Sequence, residues 1–197
     1  MSTAAYSPRP AAVLADAIPG TWARDIALVV AGALLTVLGA QISIHIPPSP
    51  VPVTGQTLAV VIAGAALGWK RGAASQLLYV LLGLFLPVYS DGASGPDVIW
   101  GATGGYLIGF VIAAGIIGRM AELGADRKPL LAFLAFCAAQ LVIFGIGVPW
   151  LKVSTDQTWA WAIHNGFAIF IVGGLIKALV GAGVIPAAWR AVKKLDA

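Results

Sequence analysis

Long apolar runs without charged residues dominate the chain, and they predict membrane-spanning helices. About 20 apolar residues cross the hydrocarbon core of a bilayer, and four runs reach or approach that length: 26–46, 72–89, 98–118 and 129–151. Two others are irregular, because 58–69 is short unless the Pro-rich stretch before it contributes, and 165–188 contains Lys177 near its centre. We therefore predict an all-α integral membrane bundle of six transmembrane helices.

Composition agrees with this prediction and excludes several classes of protein. Hydrophobic residues make up 59% of the 197 residues and charged residues only 10%, and the mean hydropathy is +0.92. A soluble domain carries about 25% charged residues, so the solvent around this chain is lipid. Six spans leave no room for a soluble catalytic or nucleotide-binding domain. The single cysteine, Cys137, excludes a disulfide framework within the chain.

The distribution of basic residues predicts the orientation, since Lys and Arg near span ends prefer the cytoplasmic side. With six spans and a cytoplasmic N-terminus, all but Lys152 and Lys177 of the 12 basic residues fall on that side. We predict cytoplasmic tails at 1–23 and 193–197, around a transmembrane domain at 24–192 of a multi-pass protein of the cell (inner or plasma) membrane. The net charge of +4 reflects this topology and attraction to anionic lipid, with no nucleic-acid partner.

Small residues at four-residue spacing predict close packing of helices, because lipid provides no hydrophobic drive between them. The first span carries two such ladders, Ala27 with Ala31, and Gly32 with Thr36 and Ala40. Contacts inside the bundle are the simplest interpretation. The alternative is that one ladder faces a partner protein, and a homo-oligomer also stays open.

Two loops on the predicted external face have opposite character. The loop 45–57 is rich in proline, which fixes φ and stiffens the chain. The loop 90–106 is rich in glycine, which permits tight turns and close approach of backbone to a ligand. The pair predicts a lidded external pocket, although two ordinary connections would give the same pattern.

Lys177 is the strongest single candidate for function. A lysine within a span costs about 2.5–3.5 kcal/mol on insertion scales, so it normally meets a polar partner or a water-filled cavity. Snorkelling to the interface is a poor alternative, because the residue is far from both ends of its run. A buried ammonium suits an anionic or carbonyl-bearing ligand. Other polar candidates lie near the outer mouth: Gln56, Thr57, Tyr89, Asp91, Thr103, Tyr106, His164 and Asn165.

Enzyme signatures are nearly absent, so we expect no catalytic residues, no cofactor and no metal. The stretch 64–70 lacks the spacing of a phosphate-binding loop. Two histidines and one cysteine are too few for an ordinary zinc site. A distant alternative is an intramembrane hydrolase, in which Ser94 of Gly-Ala-Ser-Gly is the nucleophile and His164 the base.

Four segments together resemble the BioY family, the substrate-binding (S) components of energy-coupling factor biotin transporters: Pro50–Leu58, Lys70–Tyr79, Leu86–Tyr89 and Thr103–Phe110. The resemblance extends over about 39–177. It implies a six-helix bundle that binds biotin with high affinity from outside, while a transmembrane coupling subunit and ATPase subunits power uptake. One of the small-residue ladders of the first span would then meet the coupling subunit. The alternative is a free-standing transporter of biotin or a related small anion, without ATPase partners.

The last span departs from the family pattern, which usually reads Pro-Phe-x-Pro-Gly-Asp-Leu-x-Lys. The lysine matches Lys177, but Gly174 stands at the aspartate position, and Ile169 and Val172 replace the prolines. The resemblance places both charged groups at the ligand, so a partner for Lys177 has to come from elsewhere. Asp91 and Asp97 in the Gly-rich loop are candidates.

The resemblance and the polar pattern together predict a biotin site near the outer mouth. The fused rings lie near Tyr79, Tyr89 and Tyr106, and Lys177 and Asn165 supply polar contacts. The backbone at Thr103, Gly104 and Gly105 approaches the ligand closely. The predicted ligand-binding set is completed by Gln56 and Asp91.

Overall fold

The structure is a computed structural model, and it describes residues 12–195. The fold is mostly helical, as predicted, with a 3₁₀ turn at Leu14–Ala17 and one small hairpin in which β1 (Ser43–Ile44) pairs antiparallel with β2 (Val53–Thr54). The helices are α1 (Trp22–Ala40), α2 (Gln56–Leu67), α3 (Trp69–Gly83), α4 (Pro96–Trp100), α5 (Gly104–Glu122), α6 (Pro129–Ser154), α7 (Trp159–Gly166) and α8 (Ile171–Leu195). Most of the predicted N-terminal tail lies outside the described residues.

Four helical segments are long and apolar enough to cross a membrane: α1, α5, α6 and the stretch Trp159–Lys194 that contains α7 and α8. The multi-pass prediction is therefore confirmed. The irregular second run forms α2, a shorter apolar helix of 12 residues, and the Pro-rich stretch before it forms β2 instead of extending the helix. The third run gives a helix of 15 residues, α3.

A single glycine separates α2 from α3. Gly68 has φ +83°, a left-handed conformation that ends one helix and starts the next. Gly64 and Gly72 flank this turn, and a Cβ on Gly72 would lie 2.9 Å from the Cα of Gly64. A Cβ on Gly64 would lie 2.4 Å from Ile117 Cγ2 of α5. The two short helices therefore pack closely against each other and against the bundle centre.

The small-residue ladders of α1 have different environments. Gly32 and Thr36 are buried, and Thr36 donates a hydrogen bond to Gln76 Oε1 of α3 at 3.1 Å. A Cβ on Gly32 would lie 2.9 Å from Leu67 and Ser75 atoms. Ala27 and Ala31 instead lie on the exposed face of α1. One ladder is thus used inside the bundle and the other is left on its surface.

Several predicted spans end earlier than their apolar runs. Residues 41–46 follow the end of α1 and lead into the hairpin. Helix α3 ends at Gly83, where the ring of Tyr89 packs so closely that a Cβ would lie 2.1 Å from Tyr89 Cζ. The predicted run 165–188 is interrupted by a 3₁₀ turn at Ala168–Phe170. Lys177 is consequently in the second turn of α8 and close to the end of the bundle that carries the hairpin.

Candidate functional site

A cavity opens at the end of the bundle that carries the hairpin, between β2 and the helices α2, α5, α6 and α8. It holds about 610 Å³ of space between atoms, including the part that opens to solvent. Aromatic rings form much of its wall: Tyr89, Tyr106, Phe110, Phe144 and Phe170. Other lining residues are Val51, Pro52, Thr54, Gln56, Thr57, Ser90, Val98, Thr103, Leu107, Gln140, Gly174 and Lys177.

Lys177 lines this cavity, as its position within an apolar run suggested. Its Nζ donates hydrogen bonds to the carbonyl oxygen of Thr54 at 2.6 Å and to Thr57 Oγ1 at 3.0 Å. An ammonium has three N–H donors, so one remains for a ligand. Among residues 12–195, no salt bridge joins Lys177 to a carboxylate. The charge is thus stabilised by neutral oxygens of the hairpin and of α2.

Gln56 is the first residue of α2 and also lines the cavity. Its Nε2 donates to the hydroxyl of Tyr79, and its Oε1 accepts from Thr54 Oγ1 at 2.8 Å. Tyr79 is fully buried and lies behind Gln56, outside the cavity lining. Sequence reasoning placed Tyr79 at the ligand, but its contacts give it the role of orienting Gln56.

Tyr89 and Tyr106 line the cavity with their rings while the backbone accepts from their hydroxyls. Tyr89 donates to the carbonyl of Val80 at 2.7 Å, and Tyr106 donates to the carbonyl of Gly166 at 2.9 Å. The Tyr106 ring packs edge-to-face on Phe144, with ring centroids 6.3 Å apart. Both residues therefore present apolar surface to a ligand.

The stretch Thr103–Gly105 divides between the cavity and the helix packing. Thr103 lines the cavity and donates to the carbonyl of Val98 at 3.2 Å. A Cβ on Gly104 would lie 1.6 Å from Ile99 O, and a Cβ on Gly105 would lie 2.2 Å from Trp150 Cβ. Neither glycine lines the cavity, so the need for glycine here comes from packing against the chain before α5 and against α6, and not from a ligand.

Asp91 and Asn165 lie outside the cavity lining and connect segments around it. Asp91 is exposed in the Gly-rich loop, with Oδ2 3.2 Å from Nε2 of His45 in the Pro-rich loop. Asn165 is 2% exposed. Its side-chain Nδ2 donates to the carbonyl oxygen of Trp161 at 3.0 Å, and its backbone carbonyl accepts from Ser49 Oγ at 2.8 Å. Asp97 is exposed on α4 and His164 on α7. The Pro-rich and Gly-rich loops thus contact each other directly, and α7 is hydrogen-bonded to the Pro-rich loop.

Sequence reasoning missed Gln140 and the phenylalanines of the cavity wall. Gln140 is a polar residue in the middle of the apolar run 129–151, which is a detectable signal of the same kind as Lys177. Phe110, Phe144 and Phe170 gave no signal, because aromatic residues within apolar helices do not reveal which way they face. Among residues 12–195 no group of three or more His, Cys, Asp or Glu could hold a metal ion.

A second cavity adjoins the first between α6 and α8. It holds about 450 Å³, including open space, and it is almost entirely apolar. Four residues line both cavities: Gln140, Phe144, Phe170 and Gly174. The side chains of Gln140, Phe144 and Phe170 and the backbone at Gly174 therefore form the partition between the two spaces.

Comparison with known proteins places the chain in a family. The model of the BioY family matches residues 8–194. Biotin transporter BioY2 of Lactococcus lactis subsp. cremoris is 36% identical over 155 residues, which cover 74% of this chain and 83% of that protein. Biotin transporter BioY of Thermotoga maritima is 39% identical over 150 residues, covering 75% and 85% respectively.

The fold also has a solved counterpart. The 2.1 Å crystal structure of the S-component for biotin from an ECF-type ABC transporter superposes with a TM-score of 0.79 at 21% sequence identity, covering 86% of this chain and 92% of that one. The relatives are named as transporters, and the chain is accordingly not an enzyme. The sequence match and the shared architecture agree with the resemblance carried by the four motifs. The chain belongs to the BioY family.

Proposed function

We propose that this protein is the biotin-binding S component of an energy-coupled vitamin transporter and that biotin binds in the aromatic cavity. One observation carries the proposal. A lysine whose charge has no carboxylate partner among the described residues lines a cavity walled by aromatic rings. Relatives that cover most of the chain are named biotin transporters. The remaining N–H of Lys177 donates to the carbonyl of the ureido ring, and the aromatic rings cover the fused bicycle.

Entry from the external side fits the position of the cavity. The Pro-rich loop and the Gly-rich loop flank the mouth of the cavity, and they contact each other through His45 and Asp91. Val51 and Pro52 of the first loop and Ser90 of the second line the cavity directly. A bound biotin is thus covered by both loops, and release or capture requires them to separate.

The opposite end of the bundle carries a polar network that supports a cytoplasmic assignment. Arg71 contacts both Asp16 and Asp25, and the backbone N–H of Trp69 donates to Glu122 Oε1 at 3.1 Å. Because basic residues concentrate at this end, we assign it to the cytoplasm of a plasma-membrane protein. The spans are then α1, α2, α3, α5, α6 and α8, with both termini inside.

The exposed face of α1 is the site at which we place the transmembrane coupling subunit. Ala27 and Ala31 leave the backbone of α1 accessible, whereas Gly32 and Thr36 are already covered by the bundle. Small residues allow a partner helix to approach closely in lipid. The ATPase subunits then act through the coupling subunit.

Isothermal titration of the purified protein with biotin tests ligand binding. A saturable 1:1 isotherm is the expected result, and absence of saturation at micromolar biotin overturns the proposal. Uptake of labelled biotin by cells lacking other biotin transporters tests the assembly. We expect uptake only when the coupling subunit and ATPases are present, and equal uptake without them would identify a free-standing transporter.

A further inference from the structure

The side-chain oxygen of Gln140 is a buried hydrogen-bond acceptor that the protein leaves unpaired. Gln140 lies on α6 and is 5% exposed. Its Nε2 donates to the carbonyl oxygen of Gly174 at 3.0 Å, which fixes the orientation of the amide. Its Oε1 is buried and accepts no hydrogen bond from residues 12–195. A buried oxygen without a partner is unfavourable, so the position calls for a donor supplied by something else.

The location of this oxygen points to a ligand as the donor. Three other side chains in the described part of the chain have buried atoms without partners: Ser43, Asp126 and Asn165. None of the three lines the cavity, whereas Gln140 does. Gln140 thus combines an unpaired buried oxygen with a place in the lining of the cavity in which the ligand is proposed to bind.

Gly174 makes room for this arrangement. A Cβ at Gly174 would lie 2.9 Å from Gln140 Oε1, closer than such atoms normally approach. A residue larger than glycine at position 174 would therefore displace this oxygen. Gly174 precedes Lys177 by three residues and shares its face of α8. The acceptor on α6 and the donor on α8 thus lie along the same wall of one cavity.

We propose that Gln140 is a specificity-determining residue, whose Oε1 accepts a hydrogen bond from a ureido N–H of biotin. The inference rests on the proposed function and deepens it. A cyclic urea offers two N–H donors beside one carbonyl acceptor, and the pair of Gln140 and Lys177 provides one acceptor and one donor for it. This acceptor is the neutral amide of Gln140 on α6. The residue of α8 that lies beside it, Gly174, has no side chain that could accept a hydrogen bond.

Two substitutions at Gln140 separate this role from a structural one. Gln140→Met keeps the length of the side chain but loses both the acceptor and the donor, whereas Gln140→Glu keeps an acceptor and loses the donor to Gly174. We expect Gln140→Met to weaken biotin binding at least tenfold in titration calorimetry and Gln140→Glu to recover most of that loss. Thermal unfolding in detergent verifies that each variant is folded. If Gln140→Glu binds as weakly as Gln140→Met, the bond to Gly174 is what matters and the proposal is overturned.

Ligand analogues test which group Oε1 contacts. Two biotin analogues, each methylated at one ureido nitrogen, are titrated into the wild-type protein and Gln140→Met. At least one analogue should bind the wild type tenfold or more weakly than biotin, and this discrimination should shrink below threefold in Gln140→Met. Equal discrimination by both proteins overturns the proposal. Failure of the wild type to bind biotin itself rejects the proposed function, and this inference with it.

A glycine pair on α8 supplies a matched control. Gly174→Ala places a methyl group against Gln140 Oε1 and should weaken biotin binding at least fivefold. Gly173→Ala adds the same methyl group 3.7 Å from Val53 Cγ1, an ordinary contact, and should bind within twofold of the wild type. Equal affinities of the two variants would contradict the placement of the oxygen at the ligand.

Discussion

Lys177 on α8 donates a hydrogen bond from Nζ to the carbonyl oxygen of Thr54 on β2, at 2.6 Å. This bond ties the helix that carries the charge to the hairpin at the cavity mouth. The same ammonium contacts Thr57 on α2, so one side chain joins three segments. Under the proposed function, a substitution at this position affects both the ligand and the hairpin.

Replacement of Lys177 by alanine should therefore weaken biotin binding at least tenfold, or about 1.4 kcal/mol. The variant loses the donor to the ligand and leaves the Thr54 carbonyl without its partner. Titration calorimetry measures the effect. Lys152→Ala is the matched control, because Lys152 lies in the last turn of α6 and outside the cavity lining. Equal affinity of both variants would assign Lys177 a structural role.

Tyr106→Phe separates the ring from the hydroxyl. The hydroxyl donates to the Gly166 carbonyl and is buried, so its loss should destabilise the fold by about 1 kcal/mol. The ring still lines the cavity, and the biotin dissociation constant should change less than threefold. Thermal unfolding and calorimetry on the same sample check the two expectations. A large loss of affinity with unchanged stability would mean that the hydroxyl contacts the ligand.

Gly105→Ala tests the packing of α5 on α6. The added methyl group would meet the Trp150 side chain, and overpacking of this kind costs about 1–3 kcal/mol. Gly145→Ala on α6 is the control, because a Cβ there meets no atom within 4 Å. The unfolding midpoint in detergent should fall for Gly105→Ala and stay constant or rise for Gly145→Ala. Equal midpoints would argue against close contact at Gly105.

Ala31→Trp should block assembly without affecting the ligand. The bulky ring covers the exposed small-residue face of α1, so uptake of biotin by cells that also produce the coupling subunit and ATPases should fall more than tenfold. Binding of biotin by the isolated variant should be unchanged. Leu134→Trp places the same ring on an exposed position of α6 and should preserve uptake. Normal uptake with Ala31→Trp would remove this face from the proposed interface.

Asp126 should give the protein a specific dependence of stability on pH. The residue lies between α5 and α6 and is 3% exposed; burial raises its pKa above the ordinary value of 3.8, although the Trp189 indole donates to Oδ2 at 2.6 Å. With a raised pKa, the folded state binds the proton more tightly than the unfolded state. Stability is therefore lost as pH rises through the folded pKa.

Asp126→Asn removes this titration and keeps an oxygen that accepts from Trp189. The stability of the variant relative to the wild type should increase as pH rises above 3.8 and level off above the folded pKa. Thermal unfolding of both proteins across acidic and neutral pH provides the measurement. A constant difference at all pH values would contradict a raised pKa.

Hydropathy predicted the helical architecture well, but it did not predict where helices stop. The predicted run 72–89 continues past the end of α3, because residues 84–89 form a loop that is as apolar in sequence as a span. The 3₁₀ turn at Ala168–Phe170 likewise interrupts an apolar stretch in which no proline or charged residue marks a helix end. Helix ends here depend on tertiary contacts such as the Tyr89 ring on Gly83.

Lining residues of the cavity were predictable where a polar or charged side chain lies within an apolar run. Lys177 was found for this reason, and Gln140 was detectable on the same grounds. Tyr79, Gly105 and Asn165 also have special environments, yet these serve internal packing and hydrogen bonding. Sequence patterns identify residues under constraint, whereas only three-dimensional contacts distinguish a ligand from a neighbouring helix as the cause.

Under the proposed function, the contact between His45 and Asp91 makes the Pro-rich and Gly-rich loops a single gate over the cavity. Both side chains are exposed, so the contact contributes only about 0–1 kcal/mol. A closure this weak opens readily by thermal motion when the cavity is empty. A ligand that touches both loops adds its own contacts to the closed form, so occupancy of the cavity itself determines how long the gate remains shut.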